Sequence, residues 1–490
     1  MNHIKIDLDR RISSIDRNIF GGFIEHLGRC IYGGIYSPGS PLADQSGLRL
    51  DVIEALSRLR IPIVRYPGGN FVSGYRWMDG IGPREERPPR VDAAWNAVES
   101  NQFGTNEFID FCRKIGTEPY IVVNCGDGDM REARDWVEYC NGTQDTALVR
   151  LRQKHGYEAP HAVKYWGIGN EVDGHWQIGY KTPEEYARAY LEFAKVMKWA
   201  DPSIKLAASA TSSWKGSIVE RAQLLMEQAS NFIDYLSIHW YVGNPENDFA
   251  QYMAVSELIE ERLSAYEGLV RGLSLQQKLT RPISIAVDEW NVWYRTHPDH
   301  GNALNALEET YNLEDALLVA VQLNAFIRHS NSVRMANLAQ LVNAIAPIMV
   351  SDDGIVLQTI FYPLEIYSQT CSGTSLDVFW KGETFSGGPY TGVRVLDVSA
   401  ALDEGQRKLS VYVVNRSQTE AMETTISLDS GCFGGEVSAY VVNGSHIKSE
   451  NTFKTPNAVN TVESTYKADH QTLFTYTFEP HSVTALVFSL

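Results

Sequence analysis

Eight times along this chain a short, β-branched run gives way to a stretch of helical periodicity, and this alternation restricts the fold more than any other feature. The runs span residues 19–27, 62–66, 119–123, 165–168, 204–208, 233–238, 283–287 and 333–338. Helices are predicted over 48–59, 105–115, 131–139, 182–199, 217–228, 248–270, 313–328 and 359–367. The fourth of these starts well: Thr182 is a cap residue, Pro183 takes the first position, and Glu184 and Glu185 fill the first turn. Strands alternating with helices must run parallel, because each crossover returns the chain to the same edge. Eight such units closing on themselves make a (β/α)8 TIM barrel, an α/β fold whose site lies at the strand C-termini. An open doubly wound sheet is the competing architecture. Against it, Gly167-Ile-Gly169 lacks the third glycine of a dinucleotide fingerprint, and no phosphate-binding GxxxxGK[ST] occurs.

After about residue 373 the texture changes to short alternating runs at 393–398, 408–415, 424–428, 436–442, 474–478 and 483–489, with Gly, Asn and Ser between them. This pattern predicts a C-terminal antiparallel β-sandwich of jelly-roll type. Residues 3–15 read as one alternating strand that can join it and tie the chain ends together. The expected division is a barrel over 16–373 and a sandwich over 374–490, joined by the N-terminal strand 1–15.

A net charge of −17 and a pI near 5.2 argue against nucleic acid or an anionic membrane as partner, since both require an extended basic face. Residues 1–17 mix charged and apolar residues without an uninterrupted hydrophobic run, and no later run approaches the roughly 20 apolar residues of a membrane span. The expectation is a cytoplasmic protein. Six cysteines are scattered without metal-ligand spacing and read as free thiols, so neither a metal nor a cofactor is expected.

The strand ends present Glu25, Asn70, Asn170, Glu171, His239, Tyr241, Glu289 and Gln340. Two of these carry the chemistry. In Lys164-Tyr-Trp-Gly-Ile-Gly-Asn-Glu171 an apolar run stops at an amide and a carboxylate, and in Ile283-Ser-Ile-Ala-Val-Asp-Glu289 another stops at a second glutamate. A pair of carboxyl groups on two barrel strands is what acetal hydrolysis needs: one acid protonates the departing oxygen, and one carboxylate attacks or activates water. Plainer readings stand beside this. Glu171 can be a structural partner for Arg65, His239 a satisfied buried histidine, and Trp95 and Trp293 core residues rather than sugar platforms. Asp127-Gly-Asp129 resembles part of a calcium loop but lacks its later ligands, and reads as a surface turn.

Several longer motifs then resemble one family closely. Arg65-Tyr-Pro-Gly-Gly-Asn-Phe-Val-Ser-Gly-Tyr75, Trp77 with Asp79-Gly-Ile-Gly-Pro83, Gly169-Asn-Glu171, Trp176-Gln-Ile-Gly179, Asp288-Glu-Trp-Asn-Val-Trp293 and Ala339-Gln-Leu-Val-Asn343 are similar to the α-L-arabinofuranosidases of glycoside hydrolase family 51. The resemblance runs from about residue 19 to 363. It implies a retaining hydrolase with Glu171 as general acid/base and Glu289 as nucleophile. It also implies that Glu25, Asn70, Asn170, Gln340 and Tyr241 hold an arabinofuranose ring, with His239 beside the nucleophile and Trp95 and Trp293 bordering the pocket. Cytoplasmic homo-oligomers, often hexamers, are expected from the same resemblance, as is an arabinose-containing oligosaccharide substrate. The chain departs from the pattern at His175, where proline is common, and over residues 295–308. A related barrel glycosidase acting on β-xylosides or β-glucans, and a sugar-binding protein without turnover, are the rival readings.

Overall fold

The structure is a computed structural model that describes residues 2–213, 218–294, 307–468 and 470–490. Strands Gly21–Phe23, Ile63–Tyr66, Glu118–Val123, Tyr165–Ile168, Lys205–Thr211, Tyr235–Val242, Ser284–Val292 and Val333–Ala339 form a closed barrel. Each is parallel to its neighbours, and the eighth pairs with the first. Helices at Leu50–Arg58, Thr105–Ile115, Met130–Asn141, Pro183–Ala200, Ile218–Ala229, Phe249–Gln276, Leu313–Arg328 and Phe361–Thr370 accompany the strands as the periodicity predicts. The predicted start of the fifth, at 217, lies outside the described residues. Thr182 and Glu185 make a reciprocal capping box, which satisfies two backbone donors at that helix start. A further helix, Ala147–Lys154, was not read from the sequence.

Inside the barrel, Ile63, Tyr120, Val122, Tyr165, Ala207, Ala286 and Met335 pack as a separate apolar plug. The larger core lies between strands and helices. Three strands run further than predicted: the fifth, sixth and seventh continue to Thr211, Val242 and Val292. Glu289 and His239 therefore sit within the ladder, paired side by side, rather than at strand ends. A charged residue ends an apolar run in sequence, but a carboxylate with buried partners does not have to leave a strand. The first strand is shorter than predicted, because Asp16 caps a 3-10 turn at Arg17–Phe20.

The segment read as one strand over 3–15 is two. Asn2–Ile6 and Arg11–Ser14 are separated by a turn closed by the Arg10 N to Asp7 O bond, and they enter different sheets. Asn2–Ile6 lies between Phe379–Lys381 and Met422–Leu428 in a four-stranded sheet completed by Leu473–Phe478. Its pairing with Met422–Leu428 is parallel, so the sandwich is not wholly antiparallel. Arg11–Ser14 forms one edge of a seven-stranded sheet whose other edge is Asn460–Lys467. Ile4, Ile6, Val411, Val413, Ile426 and Phe488 are among the residues that fill the space between the sheets. Helix Leu313–Arg328 is where barrel and sandwich meet: it is buried from Leu313 to Ile327, and Asn324 and Arg328 both bond Asp397 on strand Leu396–Asp403. Among the described residues, no helix is long and apolar enough to cross a membrane.

Candidate active site

A change of register in the barrel wall makes the site. Ser237 pairs with Ala286, but two residues later His239 pairs with Glu289, so the seventh strand carries one extra residue. Strict alternation would send Asp288 and Glu289 to opposite faces. With the bulge, both reach inward. Asp288 accepts from Tyr120 Oη at 2.8 Å and from Ser237 Oγ, while Glu289 accepts from Tyr241 Oη at 2.9 Å.

Arg65, from the second strand, sits beneath them at 1% exposure. Its guanidinium donates to Glu289 Oε1 at 2.7 Å and to Asn170 Oδ1 at 2.7 Å, lies 3.5 Å from Asp288 Oδ2, and stacks over the Phe23 ring. His239 links the two glutamates. Its Nδ1 is 3.1 Å from Glu171 Oε1 and 3.5 Å from Glu289 Oε2, and its Nε2 is 3.2 Å from Asp288 Oδ1. Burial alone would lower the His239 pKa, but Glu289, Asp288 and Glu171 outweigh it and raise it to about 10. The ring is therefore a cation at neutral pH. Burial opposes ionisation of Asp288 too, yet Arg65 and His239 hold its carboxyl down at about 2. Burial raises the Glu171 pKa, with Glu289 adding to the rise and His239 and Trp176 opposing it. Glu171 follows the fourth strand with a left-handed φ of 44°, which turns its carboxyl group back over the barrel mouth.

On the opposite wall, Glu25 Oε1 accepts from Phe71 N at 3.1 Å and Trp95 Nε1 at 3.0 Å, and Oε2 accepts from Gln340 Nε2 at 2.9 Å. Burial, with Glu289 nearby, pushes the Glu25 carboxyl up to about 7. Trp95 reaches in from the turn of a two-stranded ribbon, Arg90–Asp92 with Ala97–Glu99, whose base is fixed by the Glu99–His26 contact at 2.8 Å. Between the walls lies a cavity of about 470 Å³ lined by Glu25, Asn70, Trp95, Glu171, Tyr241, Glu289, Trp293 and Gln340 among others. Asn170 and His239 stand behind the carboxylates. Asn170 Nδ2 and Gln340 Oε1 are buried without a protein hydrogen-bond partner, as ligand-facing polar atoms would be.

Arg65, Asp288, Gly69 and Trp176 belong to this site and were not singled out as site residues. A Cβ on Gly69 would lie 3.0 Å from Glu289 Oε1 and 3.5 Å from both Asn170 Nδ2 and Glu25 Oε2, so the glycine keeps the floor open. Their signal was present: all four fall inside the motifs quoted above. Glu171, His239 and Glu289 approach within 4.8 Å of one another. With both nitrogens of a charged His239 turned to carboxylates and Arg65 alongside, the trio suits proton transfer rather than cation binding. Asp127-Gly-Asp129 serves local structure, with Asp129 capping helix Met130–Asn141 and Asp127 accepting from Asn124. The departure over 295–308 falls largely outside the described residues.

Both family models that match the chain describe α-L-arabinofuranosidases. The "Alpha-L-arabinofuranosidase 1 domain" model matches residues 55–257, and the "Alpha-L-arabinofuranosidase C-terminal domain" model matches 288–482. The chain is 41% identical to alpha-L-arabinofuranosidase C of Emericella nidulans over 99% of its own length and 96% of that protein. It is also 41% identical to an intracellular exo-alpha-(1->5)-L-arabinofuranosidase of Halalkalibacterium halodurans, over 85% of each chain. Its structure superposes on the Thermotoga maritima α-L-arabinofuranosidase, solved as an arabinose complex, with a TM-score of 0.92, 38% identity and full coverage of both chains. The family 51 enzyme AbfB of Bifidobacterium longum gives 0.93 at 32% identity, again over both whole chains. Matched along its whole length at these identities, and with paired glutamates in a barrel mouth, the chain belongs to the α-L-arabinofuranosidases of glycoside hydrolase family 51.

Proposed function

We propose that the protein is a retaining, exo-acting α-L-arabinofuranosidase that removes terminal non-reducing α-L-arabinofuranosyl units from arabino- and arabinoxylo-oligosaccharides, with no cofactor. The observation that carries this is the reach of one imidazole nitrogen to both Glu171 and Glu289, at 3.1 and 3.5 Å. Oxygens of the two carboxyl groups lie within 4.8 Å of each other, a spacing that suits direct attack and retention rather than the wider gap an inverting enzyme keeps for water.

In this reading Glu289, oriented by hydrogen bonds from Arg65 and Tyr241, attacks the anomeric carbon while Glu171 gives its proton to the departing oxygen. The glycosidic bond breaks and an ester to Glu289 forms. Glu171, now a carboxylate, takes a proton from water, whose oxygen displaces Glu289 and releases arabinose with its original anomeric configuration. Glu25, Asn70, Asn170, Tyr241 and Gln340 bind the sugar hydroxyls, and Trp95 and Trp293 wall the ring. The wall of Glu25, Trp95 and Gln340, tied together by hydrogen bonds, supports binding and release of a single terminal unit. Residues 16–373 carry the chemistry, with 374–490 and the N-terminal strands as its support. A cytoplasmic homo-oligomer, hexameric by the family resemblance, is part of the same reading, and light scattering tests the assembly.

The deciding experiment measures turnover of 4-nitrophenyl α-L-arabinofuranoside against the β-D-xylopyranoside and β-D-glucopyranoside for wild type, Glu171→Ala and Glu289→Ala. Expected are arabinofuranoside preference, its loss in Glu289→Ala, and partial rescue of Glu171→Ala by azide with a product of retained configuration. A first-formed sugar of inverted configuration, or azide rescue of Glu289→Ala alone, overturns the assignment of roles.

A further inference from the structure

Trp176 is 61% exposed, yet its indole Nε1 donates to Glu171 Oε2 at 3.0 Å. The loop that carries it is pinned on both sides. Asp173 accepts from Ser212 N at 3.0 Å, Gln177 donates to Ser73 Oγ at 2.5 Å, and Lys181 Nζ donates to Cys125 O at 2.7 Å. His175 adds a stack on Tyr180, with ring centroids 4.3 Å apart. The backbone is held while the indole stays in the open, lying against Gly174, where a Cβ would come 2.5 Å from Trp176 Cε2.

This makes the two oxygens of Glu171 unequal. Oε1 faces His239, whose far nitrogen is held by Asp288 and Ser237 at 3.2 Å each, and a buried, doubly anchored donor does not withdraw. Oε2 takes its bond from Trp176, an exposed side chain that lines the cavity together with Glu171. If Glu171 is the acid/base, as proposed above, the departing oxygen has to be protonated from Oε2, the atom the indole occupies.

We propose that Trp176 is a latch on the acid/base residue: in the empty enzyme its N–H holds Glu171 Oε2, and the leaving group of a bound substrate takes its place. An N–H donor favours the carboxylate form. Its removal on substrate entry strengthens the hold of Glu171 on its proton at the moment that proton is needed. Trp176 is thus a positioning residue that couples occupancy of the leaving-group side to the protonation of Glu171. The other groups facing Glu171 are His239 from the sixth strand and Glu289 from the seventh, backed by Asp288, Arg65 and Tyr241. None of them is altered by releasing the indole.

The test compares kcat/KM and kcat as functions of pH for wild type, Trp176→Phe, Gly174→Ala and Glu171→Ala. Phenyl α-L-arabinofuranoside is the substrate, because its poor leaving group keeps bond cleavage limiting. Trp176→Phe removes the donor and keeps the ring, while Gly174→Ala keeps the indole and pushes it off Glu171. The basic limb of kcat/KM reports the free enzyme and that of kcat the complex. Both variants are expected to move the kcat/KM limb to higher pH by roughly half a unit to one unit, leaving the kcat limb in place. A kcat/KM limb that stays put in both variants, or kcat and kcat/KM limbs that move together, overturns the latch. A basic limb that persists in Glu171→Ala instead removes Glu171 as the acid, and the latch with it. Thermal midpoints within a few degrees of wild type show that neither outcome reflects misfolding.

Discussion

Gly69 faces Glu289 so closely that a single added methyl carbon would stand 3.0 Å from Glu289 Oε1. The same carbon would lie 3.5 Å from Glu25 and Asn170, which together bound the sugar-sized floor of the cavity. Glu289 must then give by a few tenths of an ångström, and Gly69→Ala is expected to lower kcat/KM by roughly 10-fold. Its φ of −85° is paired with a ψ of −94°, beyond the helical region, so melting curves of the variant must accompany the activity measurement. Activity near wild type would mean that the substrate does not use this floor.

Arg65 balances Glu289 and Asp288 at once and orients Asn170. Arg65→Met leaves Asp288 and Glu289 with His239 as their remaining cation. A destabilisation of about 3–5 kcal/mol is expected by chemical denaturation, together with a fall in kcat/KM of about 100-fold as Glu289 and Asn170 lose the group that orients them. A kcat/KM near wild type would remove Arg65 from control of the nucleophile.

Glu25 has its pKa raised to about 7, chiefly by burial. A carboxyl group raised on folding stabilises the protein fully below its unfolded value near 4.5, and this contribution is lost as pH rises to 7. Stability should fall by on the order of 3 kcal/mol across that window. In Glu25→Gln the slope should flatten because the titrating carboxyl is gone, while the Gln340 amide can turn its unpartnered Oε1 toward the new amide. Melting curves at pH 4.5 to 8 decide this, and an equal slope in the variant refutes it.

His239 gives a second window of the same sign at higher pH. Its pKa is raised to about 10, so its contribution is complete below about 6.5 and is lost as pH climbs through 10. His239→Gln should be destabilised most near neutral pH and should converge toward wild type at the alkaline end. Parallel melting curves for the two proteins from pH 7 to 10.5 would contradict a charged His239.

The barrel was legible because a parallel strand and its crossover helix write two different periods, and each of the eight pairs had both. What escaped had no such period. Asn460–Lys467 is a sheet edge with most side chains in solvent, so only Val462 and Tyr466 mark it as apolar. The ribbon that carries Trp95 is three residues per strand, too short for alternation to register. In the site, Glu171 and Glu289 stand out as charges that end apolar runs. Asp288 did not, since a neighbour of Glu289 should face away, and only the bulge opposite Ser237 and His239 brings it in. Arg65 lies inside a strand and looked like a partner rather than a tool. Trp176 opens one of the quoted motifs, but its importance rests on a bond to Glu171 that spacing alone does not reveal.

The parallel pairing of Asn2–Ile6 with Met422–Leu428 sets an order on biosynthesis. Asn2 leaves the ribosome 420 residues ahead of Met422, its contact in the finished sheet. At about 5–20 residues per second, that gap lasts roughly 20 to 80 s. Through that interval the first strand, with Ile4 and Ile6 destined for the sandwich core, waits with an open edge while the barrel units emerge. The opening residues thus find their place late in synthesis, and a nascent chain stalled before residue 379 exposes both edges of a strand that invites pairing with a neighbour. Masking those few residues during synthesis is a task that falls to the cell.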